Sequence, residues 1–300
     1  MITRPLPRTD LEPSEICLGT AEMGGGGIDD ATSSAILDRY LELGGNVIDT
    51  ARIYSDWIPG ARHRSETFLG RWLQERRVRD KIILSTKGAH PELATMEVPR
   101  MSRADVSQDL EKSLQTLGVD HVDLYWLHRD DPQTPVEEIL LMLDGFRQAG
   151  KIRYAGFSNW ELPRARAALD AARKLGLTGF VAGQNCWNLA EPDRAKGDPT
   201  WAYVDQPFIE WHRTHQFTAI PYSTQANGYF RRMEKGTIDQ ASELVRKLYH
   251  SKTNQRRFAN LQALASELHQ PIGRLVLAYL LAFDFPVLPL IGPRNVADLE

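Results

Sequence analysis

The chain has 300 residues, of which 42% are hydrophobic and 25% are charged, and its formal net charge is −3. The near balance of 36 basic and 39 acidic residues gives no electrostatic reason to expect nucleic acid or a membrane surface as a partner. Two distant cysteines, Cys17 and Cys186, indicate neither a zinc site nor a disulfide framework, so we predict no metal centre. The segment 1–8 lacks the apolar core of a signal peptide, and we expect a cytoplasmic location.

Short apolar segments alternate with amphipathic ones along the chain, which predicts strands and helices in turn. The segment 3–11 is predicted to form a small hairpin or arm that closes the bottom of a barrel. The predicted strands are 15–19, 46–49, 82–87, 123–128, 152–158, 180–184, 217–222 and 287–291. Nearly continuous apolar strands are typical of parallel sheets covered on both faces. Eight alternating units predict an α/β protein, a (β/α)8 TIM barrel that spans residues 1–300 as one domain.

The connection between the seventh and eighth predicted strands is longer than one strand–helix unit needs. The excess falls at about 225–255, a polar segment that is rich in arginine and lysine. We predict an inserted loop region here, with short helical pieces such as 239–248, that covers the active face of the barrel.

Four ionisable residues stand at or just after the ends of three successive predicted strands: Asp49, Tyr54, Lys87 and His128. The carboxyl ends of parallel strands converge on one face of a barrel, so we expect these side chains to meet. A lysine cation favours the phenolate of a nearby tyrosine, and a buried lysine needs a carboxylate as its counter-charge. A histidine can hydrogen-bond a carbonyl oxygen. Each residue alone has an ordinary structural explanation, but together they predict a proton-transfer site.

The segments 44–54, 85–88, 126–129 and 150–159 resemble the motifs of the aldo-keto reductase family, in the correct order. The resemblance implies a (β/α)8 barrel that reduces carbonyl groups with a nicotinamide cofactor, NADPH in preference to NADH. It implies that Tyr54 is the general acid and that Lys87 and Asp49 tune it. It also implies that His128 orients the carbonyl.

The same resemblance implies contacts to the nicotinamide. Ser158 and Asn159 match the pair that hydrogen-bonds its carboxamide, and Gln184 matches the third partner. Tyr222 matches the aromatic residue that stacks on the ring, and an aromatic platform suits a flat heterocycle. The structural alternative for the three polar residues is ordinary turn chemistry at strand ends.

At the phosphate end, we assign Ser223, Gly292 and Arg294 to the cofactor. The last two lie in a segment similar to a phosphate-contacting turn of the family, where a guanidinium would pair with a 2′-phosphate. The alternative for Arg294 is an exposed, solvated side chain. The segment 224–225 is Thr-Gln where the family commonly has Pro-Leu, which leaves the fold of the next loop open. Family members normally continue beyond the position of Glu300, so the residues that contact the adenine and select the substrate are left open.

Large side chains after the predicted strands are candidates for the substrate pocket, with core packing as the alternative; they are Met23, Trp57, Trp160, Trp187 and Phe230. An aromatic pocket mouth suits aldehydes, ketones and sugar-derived carbonyls alike. The glycines 24–27 do not form the Gly-x-Gly-x-x-Gly pattern that opens a helix, and we expect a flexible loop at the rim of the site.

The main hypothesis is an NADPH-dependent oxidoreductase that reduces a small aldehyde or ketone to an alcohol. The alternative is a regulatory subunit that binds the nicotinamide cofactor, similar to the potassium-channel β subunits that resemble this family. A metal-dependent hydrolase on the same barrel is a weaker hypothesis, because only His128 among the eight histidines ends a predicted strand. The oligomeric state is left open.

Overall fold

The computed structural model describes residues 1–60 and 62–300. Within them, the strands are β1 (Cys17–Gly19), β2 (Val47–Asp49), β3 (Ile83–Gly88), β4 (Val122–Leu127), β5 (Ile152–Ser158), β6 (Phe180–Gln184), β7 (Thr218–Ala219) and β8 (Leu290–Ile291). The α-helices of the same residues are α1 (Asp30–Glu42), α2 (Arg64–Arg76), α3 (Arg103–Leu117), α4 (Val136–Gln148), α5 (Leu162–Leu175), α6 (Gln206–His215), α7 (Tyr229–Glu234), α8 (Glu243–Tyr249), α9 (Lys252–Leu268) and α10 (Ile272–Leu281). None of the helices in this part of the chain has both the length and the apolar character needed to cross a bilayer.

The strands form one parallel sheet in the order β7-β6-β5-β4-β3-β2-β1-β8. A parallel bridge between Ala219 and Val287 joins its two edges, and the Leu288 amide donates a 2.8 Å hydrogen bond to the Ala219 carbonyl. The sheet therefore closes into the predicted (β/α)8 barrel. The last strand is shorter than predicted because Pro289 has no N–H with which to continue the ladder.

The N-terminal segment forms the predicted hairpin below the barrel. Thr3 pairs with Ser14 in an antiparallel bridge, and the Leu6 amide donates a 2.8 Å hydrogen bond to the Leu11 carbonyl. Both leucines are buried in the cluster that fills the barrel interior, together with Trp126 from β4. The hairpin thus seals one end of the barrel, and the carboxyl ends of the strands open at the other.

The segment 225–255 is more helical than predicted. It contains α7, α8 and the start of α9, and α8 overlaps the predicted piece 239–248. These helices bury an apolar cluster of their own that includes Tyr229, Phe230, Leu248 and Tyr249. The sequence pattern predicted only part of these helices, because a short amphipathic helix has few apolar positions and here they stand between charged residues.

Candidate active site

The strand register brings the four predicted ionisable residues to one end of the barrel. Asp49 ends β2 and pairs with Ser85 of β3, and Lys87 follows two residues later. Since side chains alternate along a strand, Ser85 and Lys87 point to the same side. The His128 amide donates a 2.8 Å hydrogen bond to the carbonyl of Gly88, which sets the end of β4 beside the end of β3.

The Lys87 ammonium has three partners and is fully buried. It donates to the carboxylate of Asp49, to the backbone carbonyl of Thr50 at 2.8 Å, and to the hydroxyl of Tyr54 at 3.0 Å. All three of its N–H groups are therefore used. The site thus holds a buried cation, a carboxylate that neutralises it and a phenol that accepts a hydrogen bond from it.

The Asp49 carboxylate is itself held by two further side chains. Its Oδ1 accepts hydrogen bonds from Ser85 Oγ at 2.5 Å and from Gln184 Nε2 at 3.2 Å. Ser85 had no predicted role, although its position two residues before Lys87 on the same strand face was a usable signal. These contacts fix the carboxylate before any ligand enters.

Tyr54 is held as a neutral phenol. Its burial raises the pKa of the hydroxyl above 10.0, and the nearby Lys87 cation acts in the opposite direction without cancelling the effect. The predicted influence of the lysine is therefore present but smaller than that of burial. Burial alone would lower the pKa of Lys87, but Asp49 and Tyr54 raise it above 10.5, so the ammonium stays charged. The phenol is consequently in the form that can donate a proton.

His128 stands beside Tyr54, and His90 stands beside His128. The His128 ring lies 5.9 Å from the Tyr54 ring and 4.8 Å from the His90 ring, both measured between centroids. Burial, with the neighbouring His90 and Arg129, holds the pKa of His128 well below 6.5, so the imidazole is neutral. His90 was not predicted as a site residue, because it lies beyond the end of β3 and carries no recognisable motif.

Arg129 is a second residue beside the cluster that was not predicted from the sequence. Its buried guanidinium donates to the His128 carbonyl at 2.9 Å and to Thr200 Oγ1 at 2.8 Å. A carboxylate oxygen of Asp198 lies 4.0 Å away. The side chain therefore ties the end of β4 to the segment 198–203 after β6. The motif 126–129 contained this residue, but its partners come from a distant loop.

The predicted nicotinamide contacts lie at the ends of β5, β6 and β7. Asn159 accepts hydrogen bonds from the Tyr222 hydroxyl at 2.7 Å and from the Ala202 amide at 3.2 Å. Its own Nδ2 donates to Ser158 Oγ and to the His128 carbonyl, both at 3.1 Å. The structure thus joins these residues to the proton-transfer cluster.

Gln184 and Tyr222 fit a planar amide and its ring. Gln184 uses its Nε2 on Asp49, and none of the described residues donates to its Oε1, so this oxygen can accept from a carboxamide NH2. The Tyr222 ring is half-buried, and Trp201 packs edge-on against it at 6.3 Å. One face of the phenol can therefore serve as a platform.

The predicted phosphate contacts lie beyond β7 and β8. Ser223 has a positive φ of 53° and donates a 3.4 Å hydrogen bond to Asn227. The Arg294 side chain is 65% exposed and its nearest carboxylate, on Asp298, lies 3.8 Å away. Thr224, the departure from the family pattern, donates a 2.6 Å hydrogen bond to the Leu290 carbonyl and so pins this loop to β8. A Cβ added at Gly292 would meet no other atom within 4 Å.

Of the five pocket candidates, the structure brings only Trp57 to the proton-transfer cluster, where its exposed ring lies 6.2 Å from that of Tyr54. The other four are buried among apolar side chains of the strands and helices; they are Met23, Trp160, Trp187 and Phe230. Large apolar side chains near strand ends also complete the helix–sheet core, and the sequence pattern does not separate these uses. Among the described residues there is no group of three or more potential metal ligands.

The amino-acid sequence is similar to those of known oxidoreductases. A family model described as the aldo/keto reductase family matches residues 15–300. The norsolorinic acid reductase of Aspergillus flavus is 30% identical over 305 residues, which cover 96% of this chain and 72% of that protein. The uncharacterized oxidoreductase YrpG of Bacillus subtilis is 28% identical over 98% of this chain and 88% of its own. The aldo-keto reductase YhdN of Bacillus subtilis is 36% identical over 73% of this chain and 61% of its own.

Proposed function

The chain belongs to the aldo/keto reductase family and is an NAD(P)H-dependent oxidoreductase that acts on carbonyl groups, and on that premise we propose how its residues divide the work. NADPH is the cofactor, and the substrate is a small aldehyde or ketone that is reduced to an alcohol. The observation that carries the proposal is the 3.0 Å hydrogen bond between the buried Lys87 ammonium and the Tyr54 hydroxyl.

The cofactor supplies a hydride to the carbonyl carbon when it is bound. Gln184 would hold its carboxamide through its free Oε1, and Asn159 would bind it in exchange for one of the four hydrogen bonds that its amide makes within the chain. Ser158 would support Asn159, and Tyr222 would carry the ring. These residues surround the same strand ends as Tyr54, which supports a nicotinamide that lies beside the phenol. Arg294 would pair with the 2′-phosphate, because its guanidinium is 65% exposed and its ion pair with Asp298 is long, at 3.8 Å, and therefore weak.

The residues of the chain control the proton. Tyr54 donates its hydroxyl hydrogen to the carbonyl oxygen as negative charge develops there. The buried Lys87 cation stabilises the phenolate that remains, and Asp49 keeps that cation charged and in place. Neutral His128 retains one N–H, which can hydrogen-bond the carbonyl oxygen and hold it near Tyr54.

The experiment titrates the protein with NADPH and NADH by fluorescence and then screens a panel of aldehydes and ketones for oxidation of the bound nucleotide. Tyr54→Phe should lower kcat by about 100- to 10,000-fold and leave NADPH affinity within about two-fold. Tyr154→Phe is the matched control, since its hydroxyl bonds Asp10 of the N-terminal hairpin at the opposite end of the barrel.

Two results would contradict the proposal. Wild-type turnover in Tyr54→Phe would remove the tyrosine from the proton transfer. Tight NADPH binding without turnover of any carbonyl, together with a stable partner complex, would favour the regulatory-subunit hypothesis instead.

A further inference from the structure

His90 is a polar side chain beside the proton-transfer cluster to which the proposed reaction gives no role. The residue is 7% exposed, and its ring lies 4.8 Å from that of His128, centroid to centroid. The backbone before it is held in an unusual conformation, because Ala89 has a φ of +61° and its amide donates a 2.9 Å hydrogen bond to Asp109. A residue with a side chain seldom adopts this region without a compensating contact. The position of the imidazole is therefore tightly fixed.

The hydrogen bonding of His90 determines which of its nitrogens carries the proton. Nδ1 lies 2.7 Å from the carbonyl oxygen of Pro91, and a carbonyl can only accept, so Nδ1 is the donor. Burial, followed by the charge of Arg129, lowers the pKa of His90 to about 4, so the ring is neutral at physiological pH. Nε2 is then left with a lone pair and acts as an acceptor.

That acceptor is available to a ligand. Of the residues that the structure describes, none donates a hydrogen bond to His90 Nε2, and this nitrogen is not among the fully enclosed polar atoms without a partner. His128 differs, since its Nδ1 is enclosed and without a partner, and its Nε2 is the nitrogen that remains for a substrate. Tyr54 and His128 thus offer donors to a substrate, and His90, whose ring contacts that of His128, offers one acceptor.

We propose that His90 Nε2 accepts a hydrogen bond from a hydroxyl group on the carbon next to the substrate carbonyl. The enzyme then prefers 2-hydroxy aldehydes and 2-hydroxy ketones, the class that includes open-chain sugars, over their deoxy counterparts. This inference rests on the proposed carbonyl reduction and deepens it, because it assigns the substrate class. A carbonyl oxygen bound by Tyr54 and His128 would place the hydroxyl of the next carbon near the His90 ring, because that ring lies 4.8 Å from His128.

The test compares kcat/KM for hydroxyacetone, methoxyacetone and 2-butanone, and for glycolaldehyde, methoxyacetaldehyde and propanal, with NADPH. The methoxy compounds keep the electron-withdrawing oxygen but cannot donate, so they separate hydrogen bonding from the intrinsic reactivity of the carbonyl. The alkyl compounds match the hydroxy compounds in size. We expect the wild-type enzyme to prefer each hydroxy compound to its methoxy partner by about ten-fold.

Variants locate the preference. His90→Phe should bring the hydroxy-to-methoxy ratio to about one, and His90→Gln, whose amide oxygen can still accept, should retain part of it. His215→Phe on α6 is the matched control, because its Nδ1 also lies near a backbone carbonyl, that of Trp211 at 2.9 Å, far from the cluster. NADPH affinity should be unchanged in all three variants, which shows that the barrel is folded.

The outcomes are distinct. A wild-type ratio near one, or a ratio that His90→Phe does not change, overturns the inference and leaves the proposed reduction intact. If His90→Phe does not fold, His90→Gln carries the comparison: a hydroxy-to-methoxy ratio below that of the wild type supports the assignment, and an unchanged ratio overturns it. Absence of turnover with every compound in the wider carbonyl panel overturns the proposed function, and the inference with it.

Discussion

Gln184 and Asp49 are joined by a 3.2 Å hydrogen bond although they are 135 residues apart in the chain. The bond links the side chain proposed to hold the nicotinamide to the carboxylate that neutralises Lys87. Asp49 presents its other oxygen to Lys87, so the same carboxylate is shared between cofactor binding and proton transfer. A shared, fully bonded carboxylate of this kind fixes the relative positions of both parts of the site.

The buried pair of Lys87 and Asp49 should be costly to break from one side. Asp49→Asn leaves the ammonium buried without its counter-charge, and we expect the free energy of unfolding to fall by about 3 kcal/mol. The double variant Asp49→Asn with Lys87→Met should recover part of this loss, because it removes the stranded charge. Urea unfolding of the four proteins in a double-mutant cycle measures the effect.

The exposed pair of Arg213 and Asp284 provides the control for that cycle. Its guanidinium and carboxylate lie 2.7 Å apart but are open to solvent, so Asp284→Asn should change stability little. Equal losses in Asp49→Asn and Asp284→Asn would show that burial of the Lys87 pair has no special energetic weight.

The pH dependence of the reduction follows from the neutral forms of Tyr54 and His128. The phenol must be protonated to act as the acid, and its pKa is raised above 10.0 by burial. The imidazole pKa is held below 6.5, also by burial. We therefore expect kcat/KM to be constant from pH 6.5 to pH 10.0, the ordinary pKa values of the imidazole and the phenol. It should fall above that range, as the phenol ionises.

Lys87→Met tests the direction in which the lysine shifts the pKa of Tyr54. The lysine cation opposes the effect of burial on Tyr54, so its removal should shift the alkaline limb of the pH profile to higher pH and lower the rate on the plateau. A limb that moves to lower pH, or an acidic limb centred near the ordinary imidazole value in the wild type, would contradict the assignment.

Arg129 should act as a positioning residue for the segment 198–203. Arg129→Lys cannot reproduce the two hydrogen bonds to Thr200 and the His128 carbonyl, since an ammonium lacks the planar fork of a guanidinium. The loosened segment would weaken the bond from the Ala202 amide to Asn159, and we expect the dissociation constant for NADPH to rise about three- to ten-fold.

Hydrogen exchange measures the same effect directly. The Ala202 amide should exchange faster in Arg129→Lys than in the wild type, because its bond to Asn159 opens more often. Arg147→Lys, at an exposed pair within α4, is the control and should change neither quantity. Unchanged Ala202 exchange with weaker NADPH binding would show that Arg129 acts on the cofactor by another route.

The sequence predicted the barrel and its hairpin. It also predicted that four ionisable residues meet, because the carboxyl ends of the strands in a parallel barrel converge on one face. It did not predict His90 or Arg129 as site residues. His90 lies on the loop after β3, and Thr200, the partner of Arg129, lies on the loop after β6. The folds of these loops depend on contacts between distant parts of the chain. The pattern also could not separate exposed Trp57 from buried Trp160, since aromatic residues serve both pockets and cores.

Arg294 should select NADPH over NADH through the 2′-phosphate alone. Arg294→Ala should raise the dissociation constant for NADPH by about ten-fold and leave that for NADH within about two-fold, because only one nucleotide carries the phosphate. Fluorescence titration with both nucleotides measures the two dissociation constants. The dissociation constant for NADPH should also become less sensitive to salt. Arg173→Ala on α5, which is similarly exposed, is the control. Equal weakening of both nucleotides would place the phosphate contact elsewhere.

Trp57 and Trp160 should separate substrate binding from stability. Trp160 is fully buried against Phe157 and Phe180, so Trp160→Ala should lower the free energy of unfolding by about 3–5 kcal/mol. Trp160→Phe, which retains an aromatic ring, should leave KM for carbonyl substrates unchanged.

Trp57 is 46% exposed beside Tyr54, so Trp57→Ala should raise KM several-fold with little change in stability. Steady-state kinetics measure KM, and urea unfolding of the same preparations measures the free energy of unfolding. A raised KM in Trp160→Phe would return that residue to the substrate pocket.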